Sequence, residues 1–560
     1  MKYKQWNLRP PAPTGALQAL EGLGLSPLCA CVLYARGVDS PEKARAFLSD
    51  TPFHARDPFL LKDMDRAVAR ISQALASGEQ MAVYGDYDVD GITSTCLLTE
   101  RLRELGGDVV SYIPDRMEEG YGLNPTAISA LHRQGVGLII TVDCGITAVG
   151  EVEYARSLGV DVVITDHHQC KDTLPQAVAV VDPRREDCPY PFKELAGVGV
   201  ALKLALALAP PEARQEVMER YGELAAVGTV ADVMVLADEN RSLVRTGLDL
   251  LACTQRPGLH ALLQEVLGRD GRQPTSATIG FSIAPRLNAS GRIQHASLAL
   301  ELLLTREEQR GVELASALGE LNRERQAMEQ EIIDSCQAML EQDPQLLGPA
   351  LVLAGENWHQ GVIGIVASRL AEQYGRPTLM ISLDREKGKG KGSCRSYGEF
   401  NLFAALERCA PLLEGFGGHA KAAGLTIQAD QIPALRQAMG DLVAEHTRHT
   451  PMVSTLDIDA EIDCCRQLTC QAVDQLDLLE PTGHGNERPV FLARSMYVVS
   501  CGDVGGGRHL KLRVRRDGEV LDAIFFSANT ASCQVSPGDR LDLAFTLHIN
   551  EFRGSRTPQL

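Results

Sequence analysis

The fold can be inferred from one segment, Met81-Ala82-Val83-Tyr84-Gly85-Asp86-Tyr87-Asp88-Val89-Asp90-Gly91, and from the segments that repeat its pattern. A short apolar run ends at three carboxylates in alternate positions, and a helix-like segment follows. Carboxylates this close together repel one another, and a divalent cation is the usual way to neutralise them. An acidic turn in solvent is the alternative, and this segment alone does not separate the two.

The same alternation of apolar runs and helix-like segments continues to about residue 235. Strand-like runs lie at 81–85, 108–113, 137–142 and 161–165, and helix-like segments lie between them at 92–105, 125–134 and 147–158. Near-continuous apolar strands separated by helices predict a parallel sheet covered on both faces. Ligands of such sheets bind outside the carboxyl ends of the strands.

Three later segments, which we interpret as strand ends, also carry acidic or histidine residues. They are Asp143, then Asp166-His167-His168, and then Asp232, which follows the apolar helical run 195–209. Residues scattered at random would not fall on one edge of one sheet. The set therefore favours a metal site over an acidic turn, and it favours a ligand role for Asp232 over a helix N-cap.

The ligand types indicate which ions would bind. Aspartate and histidine together suit Mn²⁺ or Mg²⁺ better than a closed zinc site. Two such ions can activate a water molecule and stabilise the leaving oxygen of a phosphoester. We assign Asp143 as the bridging ligand, and the further ligands are Asp86, Asp88, Asp90, His167 and Asp232. Catalytic roles fall to Asp143, Asp90 and His168, with His168 meeting the scissile phosphate and Asp166 orienting a histidine.

Length and composition limit the class of protein. At 560 residues, roughly 150 per domain predicts three or four domains. The net charge of −18 argues against a protein that coats nucleic acid through its overall charge, although a local basic channel is compatible with it. The sequence has no apolar run long enough for a transmembrane helix and no secretory signal, so we expect no membrane association. Fifteen scattered cysteines predict reduced thiols in a cytoplasmic protein, and Cys464, Cys465 and Cys470 lack the second pair of a zinc site.

The whole chain is predicted to be a multidomain α/β protein. Its expected parts are an N-terminal arm with a helical cap (1–50), a parallel-sheet domain that carries the metal site (51–305), a long connecting helix (306–345), a second α/β domain (346–450) and a C-terminal OB-like β-barrel (451–560). A position of the long helix inside either neighbouring domain is the alternative. In the second α/β domain, Ser393 and Arg395 follow a basic, glycine-rich loop over 387–392.

These motifs resemble those of the DHH phosphoesterases. The segments that carry the resemblance are Asp-Tyr-Asp-Val-Asp-Gly at 86–91, Val-Asp-Cys-Gly at 142–145, Asp-His-His at 166–168 and Ala-Asp-Val at 231–233, with the glycine-rich 417–424 similar to the associated DHHA1-type domain. Further segments, at 113–116, 119–122 and 284–292, together with the terminal β-barrel, resemble the RecJ-type single-stranded-DNA-specific exonucleases. The resemblance covers nearly all of the chain.

The resemblance implies 5′→3′ hydrolysis of single-stranded DNA to 5′-mononucleotides with two Mn²⁺ or Mg²⁺ ions, in recombination and repair. It implies a terminal OB-fold that grips the strand. It also implies a substrate that carries a 5′ end, and a single-strand-binding protein and a RecQ-type helicase as protein partners. The candidates for binding the substrate or its 5′-phosphate are Arg116, His168, Arg286, Asn288, Ser393, Arg395 and His419.

Several alternatives stay open. Arg116 is equally compatible with a surface charge or a salt bridge. For His419 the alternative is a buried histidine in a tight turn, and the substrate-contacting role is favoured. The protein could be another DHH enzyme, such as an oligoribonuclease or a pyrophosphatase, although these usually lack the terminal β module. It could also be a non-catalytic scaffold that binds single strands, although every expected ligand position is intact.

Overall fold

The computed structural model describes residues 5–49, 55–116, 118–268, 272–552 and 554–560. The chain forms two compact units. Unit 1 comprises Met1–Thr51, Ser335–Glu480 and Glu487–Leu560, and unit 2 comprises Pro52–Asp334 and Pro481–Asn486. No helix in the described ranges combines the length and the apolarity that a bilayer span requires.

The N-terminal part of unit 1 contains one strand and three short helices: β1 (Gln5–Leu8), α1 (Thr14–Glu21), α2 (Pro27–Ala35) and α3 (Pro41–Leu48). Two of the helices start at a Ser-Pro pair. The hydroxyl of Ser26 accepts a hydrogen bond from the backbone of Cys29, and Ser40 caps α3 in the same way. Serine at the cap and proline in the first turn are the preferred residues there.

Unit 2 is built on a five-stranded parallel sheet. Its strands are β2 (Met81–Tyr84), β3 (Val109–Tyr112), β4 (Leu138–Val142), β5 (Asp161–Thr165) and β6 (Ala179–Val181), in the order β3-β2-β4-β5-β6. Its helices are α4 (Met64–Ser77), α5 (Val89–Glu104), α6 (Pro125–Arg133) and α7 (Val149–Ser157). Met81 and Val83 pack into one core, and Ala82 and Tyr84 pack into another, so both faces of the sheet are covered as predicted. The sequence did not predict β6, a strand of only three residues.

The rest of unit 2 is helical. Its helices are α8 (Gly197–Ala207), α9 (Arg214–Ala231), α10 (Asp238–Ala252), α11 (Pro257–Leu267), α12 (Ser276–Thr278), α13 (Ala284–Ile293), α14 (Ser297–Leu304) and α15 (Glu308–Gln342). A π-helical turn, Ile279–Ile283, joins α12 to α13. The 35 residues of α15 form one helix, whose residues fall partly in unit 2 and partly in unit 1.

Residues 481–486 are held to unit 2 by backbone carbonyls. His484 accepts a hydrogen bond of 2.7 Å from the backbone of Leu236. The carbonyl of Thr482 accepts one from Ser276, and that of Pro481 accepts one from Arg241. These bonds explain why so short a segment belongs to unit 2 although its neighbours in sequence belong to unit 1.

The second α/β domain, in unit 1, has a mixed sheet. Its elements are β7 (Leu351–Glu356), α16 (Gln360–Tyr374), β8 (Thr378–Asp384), β9 (Lys389–Arg395), α17 (Leu402–Arg408), β10 (Gly415–Gly418), β11 (Ala422–Gln428) and α18 (Ile432–His449). The strand order is β10-β11-β9-β8-β7, in which β7 and β8 are parallel. The prediction of a loop over 387–392 is wrong. A tight turn with Gly388 at a φ of +63° reverses the chain, and β9 already begins at Lys389.

The C-terminal β module, predicted from the sequence, is present in unit 1. Its elements are β12 (Thr455–Ile458), β13 (Ala460–Glu461), α19 (Cys470–Asp474), β14 (Phe491–Val504), β15 (His509–Arg516), β16 (Glu519–Phe526), α20 (Thr530–Cys533), β17 (Arg540–Phe545), β18 (His548–Phe552) and β19 (Ser555–Gln559). The long strand β14 pairs with both β15 and β17. Its core includes Leu20 and Leu33 of the N-terminal helices, and β1 pairs in parallel with β12.

Candidate metal centre and phosphate-binding residues

The loop between β2 and α5 presents Asp86 and Asp88, and the first turn of α5 presents Asp90. The side chain of Asp88 caps α5 by accepting a hydrogen bond of 3.1 Å from the backbone of Gly91. A Cβ on Gly91 would lie 2.4 Å from the carbonyl oxygen of Asp86, so only glycine allows the loop to fold back this tightly. The helix begins at Val89, three residues earlier than expected, because Asp88 is its cap. Asp90 therefore lies in the first helical turn.

The buried carboxylate of Asp90 is held by the N-terminus of α8. Its two oxygens accept hydrogen bonds of 2.7 Å from the backbone of Gly197 and 2.8 Å from that of Val198. The unpaired N–H groups and the dipole of a helix N-terminus favour an anion at this place. Gly197 carries no signal as a functional residue in the sequence, because its role depends on a contact more than 100 residues away.

The next two strands supply Asp143 and the pair of histidines. Asp143 follows β4 with a φ of +59°, and its side chain is buried. Asp166 follows β5, and its Oδ1 accepts hydrogen bonds of 2.7 Å from the backbone of His167 and 3.1 Å from that of His168. Its Oδ2 accepts one of 2.9 Å from the backbone of Ile146. Asp166 thus fixes the turn that carries both histidines.

The last carboxylate, that of Asp232, comes from a helix. The expectation that it follows a strand is wrong, and it is not an N-cap either. Asp232 is the residue at the C-terminal end of α9, where its backbone N–H donates to Gly228 and Val230. A helix end brings its side chain to the site as effectively as a strand end would.

The structure brings together all the ligands expected from the sequence. Ligand atoms within 4.8 Å of one another form three sets, which are Asp86, Asp88 and Asp143; Asp90, His167 and Asp232; and Asp143, His167 and His168. The first two sets share no residue. They meet where Nε2 of His167 lies 3.1 Å from Oδ1 of Asp143. The arrangement therefore offers two neighbouring cation sites joined at Asp143 and His167.

Several ligand atoms make no hydrogen bond to the part of the chain that the structure describes. Oδ1 of Asp86, Oδ1 of Asp143 and both ring nitrogens of His167 are buried without a hydrogen-bond partner among the described residues. Buried polar atoms are nearly always paired. Divalent cations would satisfy these atoms, and mixed carboxylate and imidazole ligands suit Mn²⁺ or Mg²⁺.

Burial and mutual repulsion shift the pKa values of the clustered side chains. Burial raises the pKa of Asp86, Asp90 and Asp143 well above the ordinary range, and neighbouring aspartates raise them further. Burial, together with the charge of Asp88, raises the pKa of Asp232 to about 7. Burial lowers the pKa of His167 to about 3 and so keeps its ring neutral, which is the form that binds a metal.

His168 differs from His167 in both exposure and charge. Its side chain is 40% exposed, against 6% for His167. Burial opposes its protonation, but a 2.7 Å bond to Asp166 and the surrounding carboxylates outweigh this and raise its pKa to about 9. The hydroxyl of Tyr121, which sequence reasoning did not single out, lies 3.2 Å from Nδ1 of His168 and 3.3 Å from the carbonyl oxygen of Asp143.

Two arginines act on the acidic loop, and only one of them, Arg116, was expected from the sequence. The guanidinium of Arg116 stacks 4.7 Å above the ring of Tyr87, beside Asp86 and Asp88. Burial raises the pKa of Tyr87 to about 12, and the charges of Arg116 and Arg292 act against that rise. Arg292 was not singled out from the sequence, although the quoted segment 284–292 contains it.

Arg286 and Asn288 lie on the same helix, α13, with different surroundings. Arg286 donates a 2.8 Å hydrogen bond to the carbonyl of Ser282 and lies 3.8 Å from Glu265. The structure therefore places it in local interactions and does not group it with the aspartates. Asn288 is half-buried.

In unit 1, Ser393 and Arg395 form a compact pair on β9. Nη1 of Arg395 donates to Oγ of Ser393 over 3.2 Å. A Cβ on Gly364 of α16 would lie 2.9 Å from Oγ of Ser393 and 3.2 Å from Nη2 of Arg395, so the glycine lets the helix approach the pair closely. His419 lies between β10 and β11 and is exposed, so the alternative of a buried histidine is wrong.

Comparisons with known proteins cover the whole chain. Three family models match it: the DHH family, N-terminal domain, over 80–229; the DHHA1 domain over 347–445; and the RecJ OB domain over 458–560. It is 39% identical over 557 residues to the single-stranded-DNA-specific exonuclease RecJ of Bacillus subtilis (strain 168), which covers 99% of this chain and 70% of that protein.

Solved structures match as well. The structure of RecJ in complex with Mn²⁺ from Thermus thermophilus has a TM-score of 0.83 and 31% identity, covering 99% of this chain and 78% of that one. The Mg²⁺ complex from the same organism has a TM-score of 0.77 and 30% identity, covering 99% and 77%.

Proposed function

Because the chain belongs to the RecJ family of single-stranded-DNA-specific exonucleases, we propose that it hydrolyses single-stranded DNA from the 5′ end to 5′-mononucleotides, in recombination and repair. Mn²⁺ or Mg²⁺ serves as cofactor, since relatives were solved with each ion. The observation that carries the proposal is the pair of disjoint ligand sets with their unpartnered buried atoms. A solvated acidic turn would not bury such atoms.

The residues of the site divide the work. Two divalent ions, when bound, stabilise the charge on the phosphoester oxygens and promote ionisation of the attacking water. Asp86, Asp88 and Asp143 would hold one cation, and Asp90, His167 and Asp232 would hold the other. Asp143 would be the bridging ligand, because its Oδ1 lies 3.1 Å from Nε2 of His167 in the second set. Asp166 orients His168, whose more exposed ring meets the scissile phosphate. The N-terminus of α8 fixes Asp90, so this ligand does not move when charge develops.

Recognition of the 5′-phosphate is assigned to the pair on β9. Arginine presents a planar fork of donors that matches phosphate, and a hydroxyl adds one further donor. Ser393 and Arg395 are already in contact, so binding requires little reorganisation. A phosphate pocket of this kind gives the enzyme its preference for 5′ ends.

The terminal β module offers a surface for the DNA strand. Along β15, Leu510, Leu512 and Val514 are buried, so the residues between them lie on the outer face, which carries Lys511, Arg513 and Arg515. The guanidinium of Arg515 stacks 5.1 Å from the ring centre of Tyr497, and the His509 ring meets Phe526 edge-on at 5.3 Å. Basic groups interleaved with rings are typical of surfaces that bind single strands. Asp522 pairs with Lys511 over 3.1 Å and with Arg513 over 3.6 Å, so one carboxylate offsets part of the three positive charges, and this face keeps a local excess of basic groups despite the net charge of −18.

The test uses single strands labelled at one end, with and without a 5′-phosphate, in Mn²⁺ or Mg²⁺. We expect mononucleotides from the 5′ end and none from the Asp143→Ala variant, whose circular dichroism should match the unaltered protein. Release from the 3′ end would overturn the direction. Pyrophosphate and short RNA are assayed in parallel, because their hydrolysis would indicate a pyrophosphatase or an oligoribonuclease instead. If none of the substrates is hydrolysed, a non-catalytic scaffold would be favoured.

We propose a single-strand-binding protein and a RecQ-type helicase as partners, since one covers and the other generates the single strands that this substrate requires. Stimulation of digestion of duplex DNA by the helicase, and of coated single strands by the binding protein, tests the proposal. No stimulation by either would remove them as partners.

A further inference from the structure

One aromatic side chain of unit 2 is almost fully exposed. Phe281 is 85% exposed, the largest fraction of any large apolar residue that the structure describes. A phenyl ring in water costs free energy, because apolar surface is normally buried. Phe281 lies in the π-helical turn Ile279–Ile283, and turns of this rare type occur frequently at functional sites.

The π-helical turn packs on the helix that delivers a metal ligand. A Cβ on Gly280 would lie 3.8 Å from the Val230 side chain, which precedes Asp232 by two residues on α9. Ile279 and Ile283, on either side of Phe281, are fully buried in the core that also contains Val227. Phe281 therefore lies on a turn that is anchored on both sides, and its ring points away from the core.

The helix that continues from this turn reaches the acidic loop. A Cβ on Gly291 of α13 would lie 2.8 Å from the carbonyl oxygen of Tyr87, between Asp86 and Asp88. The continuous segment 279–293 thus touches the chain beside Asp232 at one end and the acidic loop at the other. Its basic residue Arg292 acts on Tyr87, at the loop end. An exposed ring and a cation on one helix match the alternating bases and phosphates of a single strand.

We infer that Phe281 is a stacking platform for a nucleobase of the DNA strand next to the metal centre. The inference rests on the proposed function for its ligand class. Stacking on a ring accepts every base, because each base has a π-face, so this contact fits an enzyme that digests strands of any sequence. Phe281 is a positioning residue, because it holds the strand while the metal ligands act on the phosphate.

The test measures equilibrium binding of single strands in EDTA, so that it does not depend on hydrolysis. One nucleotide at a time, counted from the 5′ end, is replaced by an abasic analogue. Stacking of one base corresponds to about a 5- to 100-fold change in affinity. We expect the unaltered protein to lose affinity by such a factor at one position of the series. Phe281→Ala should bind the intact strand more weakly by the same factor, and an abasic site at that position should not weaken its binding further. Phe281→Trp should restore both the affinity for the intact strand and the sensitivity to the abasic site.

Two results would overturn the inference. The first is unchanged affinity of Phe281→Ala on every strand. The second is an equal loss on intact and abasic strands, which would indicate a structural effect. Phe59→Ala, at another exposed phenylalanine of unit 2, is the matched control and should bind normally. If the proposed hydrolysis does not occur, the end-labelled digestion will show it. The binding results can still be interpreted, because they are measured in EDTA and do not depend on hydrolysis.

Discussion

Asp90 and Gly197 are joined by a hydrogen bond of 2.7 Å from the backbone N–H of Gly197 to the buried carboxylate, across 107 positions of sequence. The same glycine faces a second ligand. A Cβ at Gly197 would lie 2.6 Å from Oδ1 of Asp143. One residue without a side chain therefore positions a ligand of each cation set.

Substitution of Gly197 by alanine is expected to displace Asp143. A shift of about 1 Å in a catalytic group costs on the order of 100-fold in rate, so kcat/KM for single-stranded DNA should fall by about that factor. Gly199→Ala, on the same buried helix, is the matched control, because its Cβ would meet nothing closer than 3.4 Å. It should retain activity and gain about 0.5–1 kcal/mol of stability, as alanine does over glycine in a helix. Equal losses in the two variants would contradict the assignment.

The two disjoint ligand sets predict the number of ions bound. Isothermal titration with Mn²⁺ should give two ions for the unaltered protein and one each for Asp86→Asn and Asp232→Asn, since each substitution affects one set. At 100 times its dissociation constant, each ion should stabilise the fold by about 2.7 kcal/mol in thermal unfolding. Asp249→Asn, an exposed carboxylate on α10 outside the sets, should bind two ions. A single substitution that abolishes binding of both ions would indicate one shared site.

Arg395→Ala is expected to remove the preference for a 5′-phosphate. A hydrogen bond to a charged group contributes about 1.5–3 kcal/mol, so the ratio of kcat/KM for phosphorylated and unphosphorylated strands should fall by roughly 10- to 100-fold. Arg395→Lys should restore it only in part, because lysine lacks the planar fork. Arg408→Ala, an exposed arginine paired with Glu445 in the same domain, should behave as the unaltered protein. A ratio that stays constant in Arg395→Ala would place phosphate recognition elsewhere.

Arg515→Ala is expected to weaken binding of single strands by the same factor for all sequences. Loss of one phosphate contact should reduce the slope of log K against log salt by about 0.7–1. The measurement is a salt titration of affinity in EDTA. Arg556→Ala, whose guanidinium is paired with Asp474 and Glu551, is the matched control in the same module. An unchanged slope would remove the outer face of β15 from the DNA path.

The sequence was most informative where local pattern and placement coincide. The apolar run 138–142 alternates with helix-like segments on both sides, and this alternation favours a strand of a covered parallel sheet, so the sheet edge and Asp143 could be predicted together. His167 followed in the same way from β5. These residues lie where the chain must turn after a strand, and turns after strands are readable from sequence.

Contacts between distant parts of the chain were not readable. Gly197 and Tyr121 matter because folding brings them to Asp143. Nothing around Gly197 in the sequence signals this contact, and segment 119–122, which contains Tyr121, carries the family resemblance without indicating the contact. Asp232 was identified correctly as a member of the set but on the wrong element, because short apolar runs do not distinguish a strand from a helix. Residues 387–392 were expected to form a loop, since glycine and lysine are poor strand formers, and the pairing of β9 with β8 and β11 overrides that preference.

The contacts made by the carbonyls of residues 481–486 determine when unit 2 can complete its folding during translation. The helices of unit 2 leave the ribosome long before Pro481 and His484, whose carbonyls bond to unit 2, have been synthesised. At 5–20 residues per second, the roughly 150 residues between Asp334 and Pro481 take about 7–30 s to translate. During that interval the backbone N–H of Leu236 and the side chain of Arg241 cannot yet bond to these two carbonyls. The nascent unit that carries the metal ligands is therefore completed only when most of the polypeptide has been synthesised.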